Sequence, residues 1–252
     1  MNAELKKGLR INKALAGAGV CSRRQADELI RQGRVRVNGI TVTEPGIQIA
    51  PGDELAVDGK RVPLDRIEAG FTYLMLNKPV QVVSTARDPE GRKTVLDLLA
   101  PDYAGKRLYP VGRLDFFSEG LLLLTDDGEL TQRLTHPRYH LPKYYEILVR
   151  ERASEEALRT MRSGMTLAEG EKLAPVEVRR KSTTAKGELL EMVLRQGVNR
   201  QIRRMCRDLG LTILRLRRVG QGPLKLGGLA SGQCRELSSE EAHDLRAAVG
   251  LK

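Results

Sequence analysis

In VGRLDFFSEGLLLLTDDGEL (residues 111–130) one carboxylate stands apart from the others. Asp115 follows Arg113 by two positions and precedes Phe116 and Phe117, two of the three phenylalanines in the chain. A carboxylate beside apolar rings in a basic protein can serve as nucleophile, general base or metal ligand. Asp in a turn that enters a buried strand is also a common turn former. Asp126 and Asp127 offer further acids, but Asp-Gly after a strand reads first as a turn, and a two-metal nuclease needs several acids converging on one point. In GVNRQIRRMCRDLG (197–210), Arg200, Arg203 and Arg204 crowd the start of a helix expected to be capped by Asn199. Cations at that end oppose the helix dipole, so an anion is expected nearby. Asp115 is one that the chain itself can supply, and such a pair would keep the acid ionised and fixed. In HPRYHLPKYYEILV (136–149), His136 and His140 are four apart, but Pro137 and Pro142 keep them off one helix, so no metal is expected. Tyr145 shares a strand face with Ile147 and Val149, and on pattern alone it reads as a core tyrosine.

The elements that must position these groups follow from periodicity. Leu121 to Leu124 read as a buried strand, the floor beneath Asp115. Ile202, Met205, Cys206 and Leu209 make a helical core stripe. Strands are expected at 73–76, 145–149, 190–194 and 213–219, and helices at 94–99, 129–134, 154–162, 199–209 and 240–248. Many strands with few helices and no regular βα alternation predict an α+β fold with a mainly antiparallel, mixed sheet.

Composition narrows the function classes. The net charge is +11 and is concentrated: residues 1–36 carry nine Lys/Arg against three acids, and residues 195–218 carry eight Arg against Asp208 alone. The remainder is slightly acidic, a distribution expected of a polyanion-binding protein. No apolar run approaches a membrane span, no secretory signal is visible, and the three dispersed cysteines suit a reducing cytoplasm. There is no phosphate-binding loop of the G-x-x-x-x-G-K or G-x-G-x-x-G type and no nucleophile elbow.

The N-terminal sixty residues read as a compact module. A helix over 11–18 is followed by Ser22-Arg23-Arg24-Gln25, a capping box that opens a second helix, then by Arg34-Val35-Arg36-Val37 and the hairpin turn Asn38-Gly39. The stretch RINKALAGAGVCSRRQADELIRQGRVRVNG resembles the S4 RNA-binding domain. That resemblance implies that the second helix and its flanking loops, with Ser22, Arg23, Arg24, Arg34 and Arg36, lie against structured RNA. The expected division is an S4 domain over 1–60, a linker over 61–70 and a catalytic domain over 71–252.

Four blocks of the remainder, LNKPVQVVST, VGRLDFFSEGLLLLTDDGEL, THPRYHLPKYYEILV and GVNRQIRRMCRDLG, resemble in order the pseudouridine synthases of the ribosomal small-subunit (RsuA) type, which also include enzymes of large-subunit rRNA. The resemblance implies cofactor-free conversion of one rRNA uridine to pseudouridine, the base being detached, turned and rejoined through C5. It leans toward the large subunit, and the chain is expected to act as a monomer. Asp115 matches the family's catalytic aspartate, Tyr145 the tyrosine that stacks on uracil, and Arg203 the arginine that pairs with the aspartate. Ile202 would form the apolar pocket wall. Arg113, Lys78, Asn199, Arg200, Gln201 and Arg204 would contact RNA. Val80-Gln81, Phe117 and Val198 depart from the family pattern: a glycine is usual two residues after Pro79, a polar residue at 117 and a basic one at 198. A non-catalytic S4-type assembly factor is the alternative; a site that retains Asp115, Tyr145 and Arg203 argues against it.

Overall fold

A computed structural model describes residues 8–64, 70–139 and 141–251, so His140 lies outside the described residues. The chain divides into two compact units, Met1–Phe71 and Thr72–Lys252.

In the first unit β1 (Leu9–Arg10) runs into α1 (Ile11–Gly17), and α2 (Arg23–Arg31) follows. The capping box is formed: the Ser22 hydroxyl accepts from the Gln25 amide, and the Gln25 side chain accepts from the Ser22 amide. This satisfies two donors that the first helical turn would otherwise leave without partners. Next come β2 (Val35–Val37), β3 (Ile40–Val42), β4 (Gln48–Ile49), β5 (Leu55–Val57) and β6 (Lys60–Arg61). Asn38 and Gly39 take φ of 50° and 79°, as a tight hairpin turn requires. The sheet order is β3-β2-β5-β6, with β1 and β4 paired separately. Ile11, Leu15, Ala26, Ile30, Val35 and Leu55 close the core. The expected linker starts too early. Arg61 belongs to β6 and Val62 is buried in this core, because Asp58-Gly59 turns the chain back instead of releasing it. Residues 65–69 of that linker lie outside the described residues.

The second unit contains β7 (Tyr73–Lys78), β8 (Tyr109–Pro110), β9 (Glu119–Thr125), α3 (Gly128–Thr135), β10 (Lys143–Val149), α4 (Glu155–Ser163), β11 (Glu177–Thr184), β12 (Gly187–Leu194), α5 (Gln201–Asp208), β13 (Ile213–Gln221), β14 (Leu224–Lys225), β15 (Cys234–Glu236) and α6 (Ser239–Ala247). Its sheet runs β11-β12-β10-β13-β9-β7-β15, with β8 on β9 and β14 on β13. Every pairing is antiparallel except β13 with β9. Thr94–Leu99 yields only a short 3-10 turn at Leu96–Leu98, since Asp97 folds back to accept from the Thr94 amide and hydroxyl.

The leucine run is buried on both faces of β9. Leu121 and Leu123 pack with α3 and α6, while Leu122 and Leu124 pack with Val82, Val95, Leu108 and Leu114 on the opposite side. Two covered faces explain an unbroken apolar run in place of an alternating one. Each such side chain contributes about 2 kcal/mol by burial. Ahead of them Gly120, at φ 106°, lies against the Arg218 backbone so closely that any Cβ would collide with it. Among the described residues no helix is long and apolar enough to cross a membrane.

Candidate active site

The turn that carries Asp115 is fixed by its own carbonyls. The Asp115 carbonyl accepts from the Ser118 amide at 3.0 Å and the Phe116 carbonyl from the Gln81 amide at 2.7 Å. The Phe117 carbonyl accepts from the Arg203 guanidinium at 2.7 Å, and the Ser118 carbonyl from Lys78 Nζ at 2.8 Å. With four successive carbonyls partnered, the carboxylate is held on a rigid base above the leucine floor. Gln81 donates from a left-handed backbone, φ 62°. That conformation is what a glycine two residues after Pro79 would adopt without strain.

Asp115 lines a cavity of about 260 Å³. Its Oδ2 is 3.5 Å from Arg203 Nε and 3.7 Å from the Arg200 guanidinium, distances of an ion pair rather than a short hydrogen bond. Burial pushes Arg203 below its usual range, and the Asp115 charge opposes that shift. Arg203 also donates to the Ser118 hydroxyl at 3.0 Å. Arg200 occupies the N-cap of α5 in the left-handed region, φ 49°, with no side-chain cap. Asn199 therefore does not cap the helix, which begins two residues later than expected. A non-glycine residue held in that region costs on the order of 1–3 kcal/mol and is a recurrent feature of functional sites. Here it brings the guanidinium to the carboxylate.

The expected site residues separate into three groups. Asp115, Tyr145, Arg203, Ile202, Arg113, Asn199, Arg200 and Gln201 line the one cavity. Tyr145 packs against two core clusters, one that includes its cross-strand partner Met192 and one that includes Leu114, and Tyr144 is exposed. Arg23, Arg24, Arg36 and Arg113 are exposed, and none has an ion-pair partner among the described residues. The third group departs from expectation. Lys78 is wholly buried, its ammonium on the Pro79 and Ser118 carbonyls, so it supports the turn and does not reach RNA. Burial pushes it down to about 8 despite the nearby charges of Asp115 and Glu119. Arg204 is taken up by Glu169 and Glu171, and Arg34 by both oxygens of Asp58. Asp126 and Asp127 are structural: Asp126 accepts from the Thr72 amide, while Asp127 caps α3 and pairs with Arg246.

Three further cavity residues, Lys143, Arg218 and Gln221, were not singled out by motif. The strand register brings them in. Lys143 is two positions before Tyr145 and so on its face; Arg218 lies opposite Tyr145, and Gln221 opposite Lys143. The period-two continuation of the Tyr145 face was the available signal for Lys143.

A cavity this basic around one carboxylate, beside a tyrosine, suits a nucleotide. The sequence pattern of the family described as RNA pseudouridylate synthase matches residues 72–208, and that of the S4 domain matches residues 9–55. The chain belongs to the RNA pseudouridylate synthase family. An uncharacterized RNA pseudouridine synthase of Aquifex aeolicus is 42% identical across 97% of this chain and 96% of its own. Ribosomal large subunit pseudouridine synthase B of Bacillus subtilis is 41% identical across 94% of this chain and 96% of its own. A crystal structure of a pseudouridylate synthase superposes with TM-score 0.65 at 28% identity, covering 94% of this chain and 99% of that one. The synthase is thus an RNA-modifying enzyme joined to an S4 RNA-binding domain.

Proposed function

We propose that this synthase converts a uridine of ribosomal RNA to pseudouridine in the large subunit, in the cytoplasm, with Asp115 as the group that engages the target nucleotide. The observation that carries this reading is the placement of Asp115: one carboxylate on a rigid turn, flanked by Arg203 and Arg200, in a cavity shared with Tyr145. The large-subunit preference rests on the name and 41% identity of the Bacillus subtilis relative.

The chemistry needs a nucleophile or ion stabiliser, a pocket closed to water and a proton acceptor at C5. Asp115 attacks the sugar at C1′ or the base at C6. Tyr145 stacks on the uracil and receives or relays the C5 proton. Arg203 pairs with Asp115 and orients it. A stacked base must first leave the helix, at a cost of a few kcal/mol, offset by phosphate contacts from Arg113 and from the arginines of the S4 domain.

Because pseudouridine carries its sugar on C5, each turnover releases the C5 hydrogen. A large-subunit rRNA transcript labelled with [5-³H]uridine is the assay. Asp115→Asn is expected to bind the transcript as the parent does and to release no tritium. Normal release by that variant would overturn the assignment of Asp115. Release from small-subunit transcript alone would overturn the large-subunit reading.

A further inference from the structure

Among its described lining residues the cavity has five basic side chains, Arg113, Lys143, Arg200, Arg203 and Arg218, against the single acid Asp115. Arg200 and Arg203 face that acid. Lys143 and Arg218 do not: neither has a carboxylate partner among the described residues. Arg218 is 3% exposed, its Nε donates to the Leu121 carbonyl at 2.7 Å, and one terminal nitrogen has no partner. Lys143 is half-buried with only a long 3.3 Å contact to the Leu141 carbonyl. Burial, and then the charge of Arg218, push Lys143 below its usual range. Two neighbouring buried cations, neither with a carboxylate partner among the described residues, destabilise the free protein. Such an arrangement becomes favourable once negative charge develops beside it.

Building on the function proposed above, we propose that Lys143 and Arg218 form an anion hole for the uracil carbonyl oxygens as the base becomes negatively charged. The positions suit this: both lie on the Tyr145 face of the sheet, with Arg218 directly across from the tyrosine, so a base stacked there presents its edge to them. The electron count shows where such a hole would act. If Asp115 attacks C1′, the C1′–N1 bond breaks, its electron pair leaves on N1 and spreads onto O2 and O4, and a C1′–O bond forms to the carboxylate. The uracilate C5 then displaces that carboxylate, the C5 proton departs to the base, and N1 regains a proton. If Asp115 attacks C6, the C5–C6 π pair moves through C4 onto O4. The first route spreads one negative charge over N1, O2 and O4 and the second places it on O4, and preorganised donors at those oxygens act on the transition state rather than on binding.

Tritium release from the labelled large-subunit transcript tests this through the division between kcat and KM. Lys143→Met is expected to lower kcat about 100-fold, the usual effect of removing one such donor, with KM and transcript Kd close to the parent and Tm equal to the parent's or higher. Lys143→Arg should restore much of the loss. Arg218 also anchors the Leu121 carbonyl, so Arg218→Lys, which retains the charge, is the companion variant and is judged only against an unchanged Tm. A transcript containing 5-fluorouridine supplies an independent reading. Fluorine makes the base a more willing anion, so the Lys143→Met penalty on loss of intact 5-fluorouridine should shrink. A raised KM and Kd with kcat intact would make Lys143 a phosphate anchor and overturn the proposal, as would an equal penalty on both substrates. A parent enzyme that releases tritium from neither subunit's transcript would instead overturn the rRNA reading, and this inference with it.

Discussion

Two helices in this chain begin with arginines, and the structure resolves the same electrostatic conflict in opposite ways. At α2 the backbone is regular: Ser22 and Gln25 complete a capping box, and Arg23 and Arg24 project into solvent without ion-pair partners among the described residues. At α5 the N-cap is a left-handed Arg200, and the arginines turn to the chain's own acids, Asp115, Glu169 and Glu171. The first terminus leaves its positive field open to an external phosphate. The second spends most of its field inside the protein, fixing one carboxylate. Arginine at a helix start therefore signals an anion without saying whose it is.

That contrast predicts different failures. Arg203→Gln should lower kcat by about 100-fold or more while leaving RNA affinity nearly intact, because it loosens Asp115 and the turn beneath it; a pure KM effect would place Arg203 with the RNA contacts. Arg23→Gln and Arg24→Gln should do the reverse. Each should weaken transcript binding and reduce the slope of log affinity against log salt by roughly one, with kcat unchanged; an unaltered salt slope would empty the open terminus of its role.

Lys78 predicts a pH effect on stability. It is held at about 8 in the folded protein against an ordinary value of 10.5. Between those values the unfolded chain binds a proton that the folded chain lacks, so Lys78 adds stability as pH rises through the window. Below it the burial penalty is fully present. Denaturant unfolding from pH 7.5 to 10 should show this rise, and Lys78→Met should flatten it. The smallest effect separates the two caps directly. Ser22→Ala should cost about 1 kcal/mol of stability, whereas Asn199→Ala should cost almost none, since Asn199 caps nothing.

What the residues disclosed beforehand was mostly local. Leu121–Leu124, the capping box at Ser22 and the Asn38-Gly39 turn depend on neighbours in sequence, and all appear as expected. Asp115 and Arg203 were paired in advance on charge and resemblance, and they lie within ion-pair distance. Arg218 and Gln221 were not visible because register decides them, whereas Lys143 shares the Tyr145 face by period two. The β10–β13 ladder shifts between Tyr144 and Tyr145, and no local pattern announces that bulge. Arg200 was misjudged for a related reason: helix propensity gave no warning that tertiary pairing would hold it in a left-handed conformation. Lys78 was placed against RNA by resemblance, and its two carbonyl partners become visible only in three dimensions.

The close approach of Gly120 to the Arg218 backbone also bears on how the enzyme comes into being. β9 can pair with β13 only after nearly a hundred residues of intervening chain have been made, as the 97-residue separation between Arg218 and its acceptor Leu121 indicates. Contacts that distant form late, because loop closure must precede any gain from them. The first unit, built from hairpins and adjacent helices, has no such delay. On the ribosome it can fold while β13 is still unmade. A nascent chain would then grip RNA before its cavity exists, and catalytic competence would arrive in one step with the last strands of the sheet.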